Sequence, residues 1–174
     1  MNVRWTGTLP YAVVEGYEHL VADMRLIRAK DAAGQDSSAL QIDTAFMIAW
    51  MGHYVGDGSQ PLHVTIHHDG WVGPNPRHHT RDPKVHGRFE SDYVEMIDLA
   101  EQDVQKHLTP IGHQSGDVFD LVLAYLAQSH RDVETVYALD QSGALKDPQN
   151  GRARQLVYKR TATAASMLRD LVYR

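Results

Sequence analysis

The sequence predicts an all-α bundle of about five helices, interrupted by one long loop rich in glycine, proline and histidine. Three observations carry this. Apolar residues recur at three and four over most of the 174 residues, no stretch shows the strict alternation of a half-buried strand, and the periodicity stops only across residues 58–83. A chain of this length is expected to form one domain, residues 1–174, burying about two-thirds of its unfolded surface. Its residues 37–98 hold the chemistry-bearing side chains and residues 110–174 read as packing helices.

Pro10 suits the first turn of helix one, whose stripe of Val13, Val14, Tyr17, Leu20, Val21, Met24 and Ile27 runs to near Gly34. His19 and Asp23 stand four apart off that stripe and read as a solvated pair. Ser37 or Ser38 is the N-cap expected for helix two, residues 39–54, which is apolar or small on most sides and reads as central and buried. The loop of residues 58–83 follows; its length predicts function or disorder, with Gln60-Pro61-Leu62-His63 as its ordered part. Asp82 and Pro83 are expected to open helix three, with Phe89, Tyr93, Val94 and Ile97 along it. Ser115 or Asp117 begins helix four, which runs through Tyr137 to Gly143, and helix five spans residues 148–173.

Composition narrows the function classes. The absence of cysteine excludes disulfides and thiolate metal sites, so any metal is held by nitrogen and oxygen. A net charge of −5 argues against a broadly basic nucleic-acid footprint, although each bound zinc would add two positive charges where a phosphate sits. No apolar run approaches transmembrane length, so a soluble chain is expected, and the opening MNVRWTGTLP contains no apolar core of a signal peptide.

Residues 51–90 hold seven of the eleven histidines. His53 and Asp57 stand four apart, His63 follows a Gln-Pro-Leu turn, and His86 and Glu90 again stand four apart. Residues four apart share a helix face, so these five make three imidazoles and two carboxylates, a zinc-like set. His63, His86 and Glu90 supply three ligands and leave a fourth position for water; His53 and Asp57 form a partial second site in which Asp57 can bridge two ions. The bland alternative for His53 and Asp57 is an internal hydrogen bond. His67, His68, His78 and His79 read as solvent-facing or supporting, and His107, His113 and His130 as ordinary polar histidines.

Paired metal ions favour in-line displacement at phosphorus, so phosphodiester hydrolysis is the expected chemistry. A di-iron carboxylate bundle fits less well, because it uses a Glu-x-x-His spacing and more carboxylates. A phosphohydrolase built on the adjacent His68-Asp69 pair is weaker again, since that pair falls in a glycine-rich loop.

GHYVGDGSQPLH followed by HGRFES resembles the superfamily that joins single-strand-specific zinc nucleases of the P-one/S-one type with bacterial zinc-dependent phospholipases C. The resemblance covers residues 9–98 and implies a mainly α-helical fold with a cluster of three zincs. It implies that His53 and Asp57 hold one zinc, with Asp57 bridging as a catalytic residue, and that His63, His86 and Glu90 hold another. Gln60-Pro61-Leu62-His63 and the long interval to His86 resemble the nuclease branch, whereas glutamate at 90 resembles the phospholipases and many bacterial nuclease-like members, so the resemblance leans to the nuclease-like branch. The implied partners are single-stranded nucleic acid or nucleotide, or a phospholipid headgroup, with Trp71 or Tyr54 as base-stacking candidates whose plainer role is packing. Family members are secreted or periplasmic. Their N-terminal tryptophan, and the histidine, aspartate and second histidine after it, have no counterpart upstream of Leu9, and Trp5 does not take that role. The chain therefore resembles the C-terminal two-thirds of such an enzyme. Three expectations follow: a zinc phosphodiesterase, a zinc-binding remnant without activity, or a helical scaffold whose histidines bind nothing.

Overall fold

A computed structural model describes residues 7–112 and 115–174; Trp5 and His113 lie outside them. Pro10 sits in the first turn of α1 (Leu9–Ala32), which buries Val13, Gly16 and Leu20 and gives way to Gly34 in the left-handed region. α2 (Ser38–Ser59) runs five residues beyond its predicted end, so His53 and Asp57 stand on its last two turns. A 3₁₀ turn follows at Pro61–Val64. α3, residues 85–96, is α-helical at Val85–Gly87, widens to a π turn at Arg88–Asp92 and returns to α at Tyr93–Met96. It begins two residues after Pro83, because Asp82 caps a preceding turn by accepting from the Lys84 N–H at 3.0 Å. A short α4 (Glu101–Gln105) precedes α5 (Val118–His130), α6 (Val133–Gln141) and α7 (Gly151–Tyr173).

The all-α bundle is therefore as expected, with no strand among the described residues. Two expectations need correction. The predicted fourth helix is two, broken at Arg131 and Asp132, where the Asp132 carboxylate meets Lys159 at 3.3 Å and Arg160 at 3.7 Å. Helix two is not buried on most sides: Met51 and Val55 are fully enclosed, but Ile42 and Phe46 are 73% and 63% exposed, because nothing among the described residues covers that face. No helix among the described residues is long and apolar enough to cross a membrane.

Two apolar clusters form. One gathers Val13, Leu20, Met51, Val55, Val122 and Leu171 from α1, α2, α5 and the end of α7. The other gathers Leu62, Val85, Phe89, Tyr93, Val136 and Tyr137 from the 3₁₀ turn, α3 and α6. α2 ends in the first and the turn after it enters the second, so the segment 57–63 lies on the seam.

Candidate metal centre

The spacing of four along α3 places its polar and apolar residues in two files. In an α-helix each step of four residues drifts by about 40°. The π turn, closed by a bond from the Tyr93 N–H to the Arg88 carbonyl, takes up that drift. Val85, Phe89, Tyr93 and Ile97 thus all stay buried, and His86 and Glu90 share the adjoining file.

His63 reaches the same point from the 3₁₀ turn. Pro61 starts that turn, and the Gln60 side-chain carbonyl caps it by accepting from the Leu62 N–H at 2.5 Å. Leu62, fully buried, anchors it in the apolar cluster. The other end of Gln60 donates through Nε2 to Glu90 Oε2 at 2.9 Å, so one amide fixes both the histidine turn and the carboxylate.

Three donor atoms meet. His63 Nε2 and His86 Nε2 lie 3.0 Å apart, His86 Nε2 is 2.8 Å from Glu90 Oε2, and His63 Nε2 is 3.1 Å from the same oxygen. Tetrahedral zinc with bonds of about 2.0–2.1 Å separates its ligand atoms by about 3.3 Å. The three atoms are therefore within about half an ångström of that spacing, and each can offer a lone pair to a divalent cation once the proton His86 Nε2 shares with Glu90 is given up. His63, His86 and Glu90 could hold a metal ion. Glu90 is pushed up by burial, but hydrogen bonds from Gln60 and His86 and the charge of His63 and His86 outweigh this and hold it below the ordinary glutamate value, so it is a carboxylate.

Asp57 lies on the other side of His63, with Oδ1 3.2 Å from His63 Nδ1 and Oδ2 3.4 Å from His53 Nε2. Of the five residues singled out in the sequence, His63, His86 and Glu90 form one donor group; Asp57 touches His63 from its Nδ1 side, and His53 stands beyond Asp57 at the open edge with its side chain 72% exposed. His19 is exposed on α1, away from these contacts, and His130 Nδ1 meets the Val64 carbonyl at 3.0 Å.

Of the four loop histidines read as solvent-facing or supporting, His68 and His78 are exposed, whereas His67 is half-buried and His79 is buried. His67 stacks on Trp71 with ring centroids 3.9 Å apart and planes 6° apart. His79 is buried between Trp71 and Tyr137, and the Tyr137 hydroxyl donates to the His67 carbonyl. The Asn75 side chain donates to the His79 carbonyl and accepts from its N–H. Trp71 is thus a packed aromatic, as is Tyr54, edge-on to Trp50. Sequence reasoning weighed Asp69 only as half of the adjacent His68-Asp69 pair and set it aside; its Oδ1 is 3.4 Å from His86 Nδ1 and its Oδ2 3.0 Å from His68 Nδ1, and these three residues make a second group able to hold an ion. The only signal for it was its adjacency to a histidine inside a loop too long to be idle.

Compared with protein-family models, curated proteins and solved structures, the chain matches none.

Proposed function

We propose that the chain is a zinc-dependent phosphodiester hydrolase, with His63, His86 and Glu90 holding one ion and His53 and Asp57 contributing to a second. The convergence of two imidazole nitrogens and a carboxylate oxygen at 2.8 to 3.1 Å carries the reading. When bound, zinc supplies Lewis-acid activation of water and of the phosphoryl group. The chain's part is to hold the donors: Gln60 steadies Glu90, and Leu62 and Pro61 fix His63, while Asp57, which lies between His53 and His63 Nδ1, would turn an oxygen toward the ions to bridge them. The proposed substrates are single-stranded nucleic acid or nucleotides.

A second reading, a phospholipid headgroup as substrate, draws on a cavity of about 270 Å³ that shares Gln60 and Glu90 with the donors. Its remaining walls, including Phe89, Val94, Leu99 and Val157, are mostly apolar and suit a hydrocarbon substituent better than a base.

Purified protein is expected to retain at least one zinc, lost in His63→Ala and in His86→Ala. It is expected to hydrolyse bis-p-nitrophenyl phosphate and single-stranded DNA, with phosphatidylcholine vesicles as the competing substrate. Unchanged metal content in both variants would refute the ligand assignment, and bound zinc without turnover of any of the three would leave a zinc-binding remnant.

A further inference from the structure

We infer that Asp69 is a positioning residue that fixes His86 through its second ring nitrogen, making the loop part of the metal centre. A metal-ligating histidine presents one nitrogen to the ion and needs an acceptor for the N–H on the other; carboxylates in that role set the tautomer and ring angle. On His63 the nitrogen away from Glu90 also faces a carboxylate, Asp57 Oδ1 at 3.2 Å from Nδ1. His86 has a carboxylate beside Nδ1 in Asp69, at the ion-pair distance of 3.4 Å, from which a small turn of the ring makes the hydrogen bond, while Nε2 faces Glu90 and His63. The second oxygen of Asp69 faces His68 Nδ1 at 3.0 Å, so the carboxylate is flanked by two imidazoles.

The loop around Asp69 is built to hold it. On one side His67 is clamped by its stack on Trp71 and by the Tyr137 hydroxyl on its carbonyl. On the other, Gly70 is buried at φ +98°, and a Cβ there would stand 2.6 Å from the Arg81 carbonyl oxygen. The Trp71 N–H donates to the Thr80 carbonyl at 2.9 Å and its indole N–H to the Pro74 carbonyl at 2.8 Å. Asp69 itself is half exposed, so its placement follows from these anchors and not from burial of its own side chain.

The inference rests on the proposed metal reading only in that His86 Nε2 faces the ion. Zinc affinity measured by chelator competition is expected to fall about 10–100-fold in Asp69→Ala, with part of the loss recovered in Asp69→Asn, which keeps an acceptor oxygen. The cobalt-substituted protein is expected to keep the parent's visible band positions in Asp69→Ala, because Asp69 is not itself a ligand. His68→Ala is expected to leave stoichiometry unchanged. Parent protein that binds zinc while Asp69→Ala binds it within about twofold would overturn the inference and leave the metal reading standing. Loss of one of two bound ions in His68→Ala would also overturn it, by making His68 and Asp69 ligands of their own ion. Parent protein that binds no zinc would sink both; bound zinc that depends on Asp69 but gives no turnover would sink only the hydrolase reading. Far-UV circular dichroism of each variant separates lost positioning from lost folding.

Discussion

Gly70 is the residue on which closure of the loop turns. Its φ of +98° disfavours any side chain, and an added methyl would meet backbone, which cannot swing away as a side chain can. Gly70→Ala is expected to cost about 1–3 kcal/mol locally. The check is limited proteolysis: the variant should be cut within residues 64–84 under conditions that spare the parent, and equal resistance would remove the strain argument. His79 sets a second local constraint. Its ring is buried with neither nitrogen hydrogen-bonded, and burial, then the charges of Arg77 and His67, hold its pKa below the ordinary 6.5. His67 is lowered in the same direction by burial and then by His130. The unfolded loop therefore takes up protons first as pH falls. The stability these rings contribute is present above about 6.5 and is lost below it. Loop protection measured by hydrogen exchange between pH 7.5 and 5 should fall, and His79→Phe should flatten the fall; identical slopes would show that His79 is not a cause.

At the scale of elements, the end of α2 decides where His63 and Asp57 can stand. The last carbonyls of a helix have no partner within it, and here they are buried. The Ser59 carbonyl accepts from Arg160 Nε at 2.8 Å and from Ser129 Oγ at 2.8 Å, and the Tyr125 hydroxyl donates to the Val55 carbonyl at 2.6 Å. α5 and α7 thus terminate α2 from outside. Ser129→Ala removes a fully buried donor and should cost about 1–3 kcal/mol, read as a lowered urea midpoint with unchanged slope. A midpoint unchanged from the parent would mean that Arg160 alone satisfies the carbonyl. Arg160 and Ser129 carry no local sign of this role, being ordinary residues in helices that read only as packing. By contrast, α1, α2, α3 and α7 were legible, since their apolar files follow the helical period, and so were the shared helix faces of His53 with Asp57 and of His86 with Glu90, whose spacing of four is itself helical; His63 arrives from a 3₁₀ turn that only the Gln-Pro-Leu segment hinted at. The break at Arg131 was not, because no glycine or proline marks it. Nor was the exposure of Ile42 and Phe46, since periodicity reports that a face is apolar but not whether anything covers it. The nearness of Asp69 to His86 was hidden for a related reason: it depends on a loop path set by Trp71, Tyr137 and Gly70 together.

For the whole molecule, the donors lie on the seam between two apolar clusters and at both ends of the loop. His63 ends the turn leaving α2, His86 opens α3, and an ion joining them would close the intervening segment into a ring. A ligand that binds only the folded state stabilises it by mass action, about 2.7 kcal/mol at a hundredfold excess over its dissociation constant. For a chain of this size about 1 kcal/mol moves the melting temperature by roughly 2–4 °C, so zinc should raise it by about 5–11 °C and a chelator should reverse the rise. The same ion should protect residues 64–85 from protease more than it protects the exposed end of α1, because only the former segment is tied at both ends. His86→Ala should abolish both effects while keeping a cooperative transition, since Val85, Phe89 and Tyr93 still hold α3 in its cluster. A melting temperature indifferent to zinc in the parent would mean that the donors gather without an ion to join them.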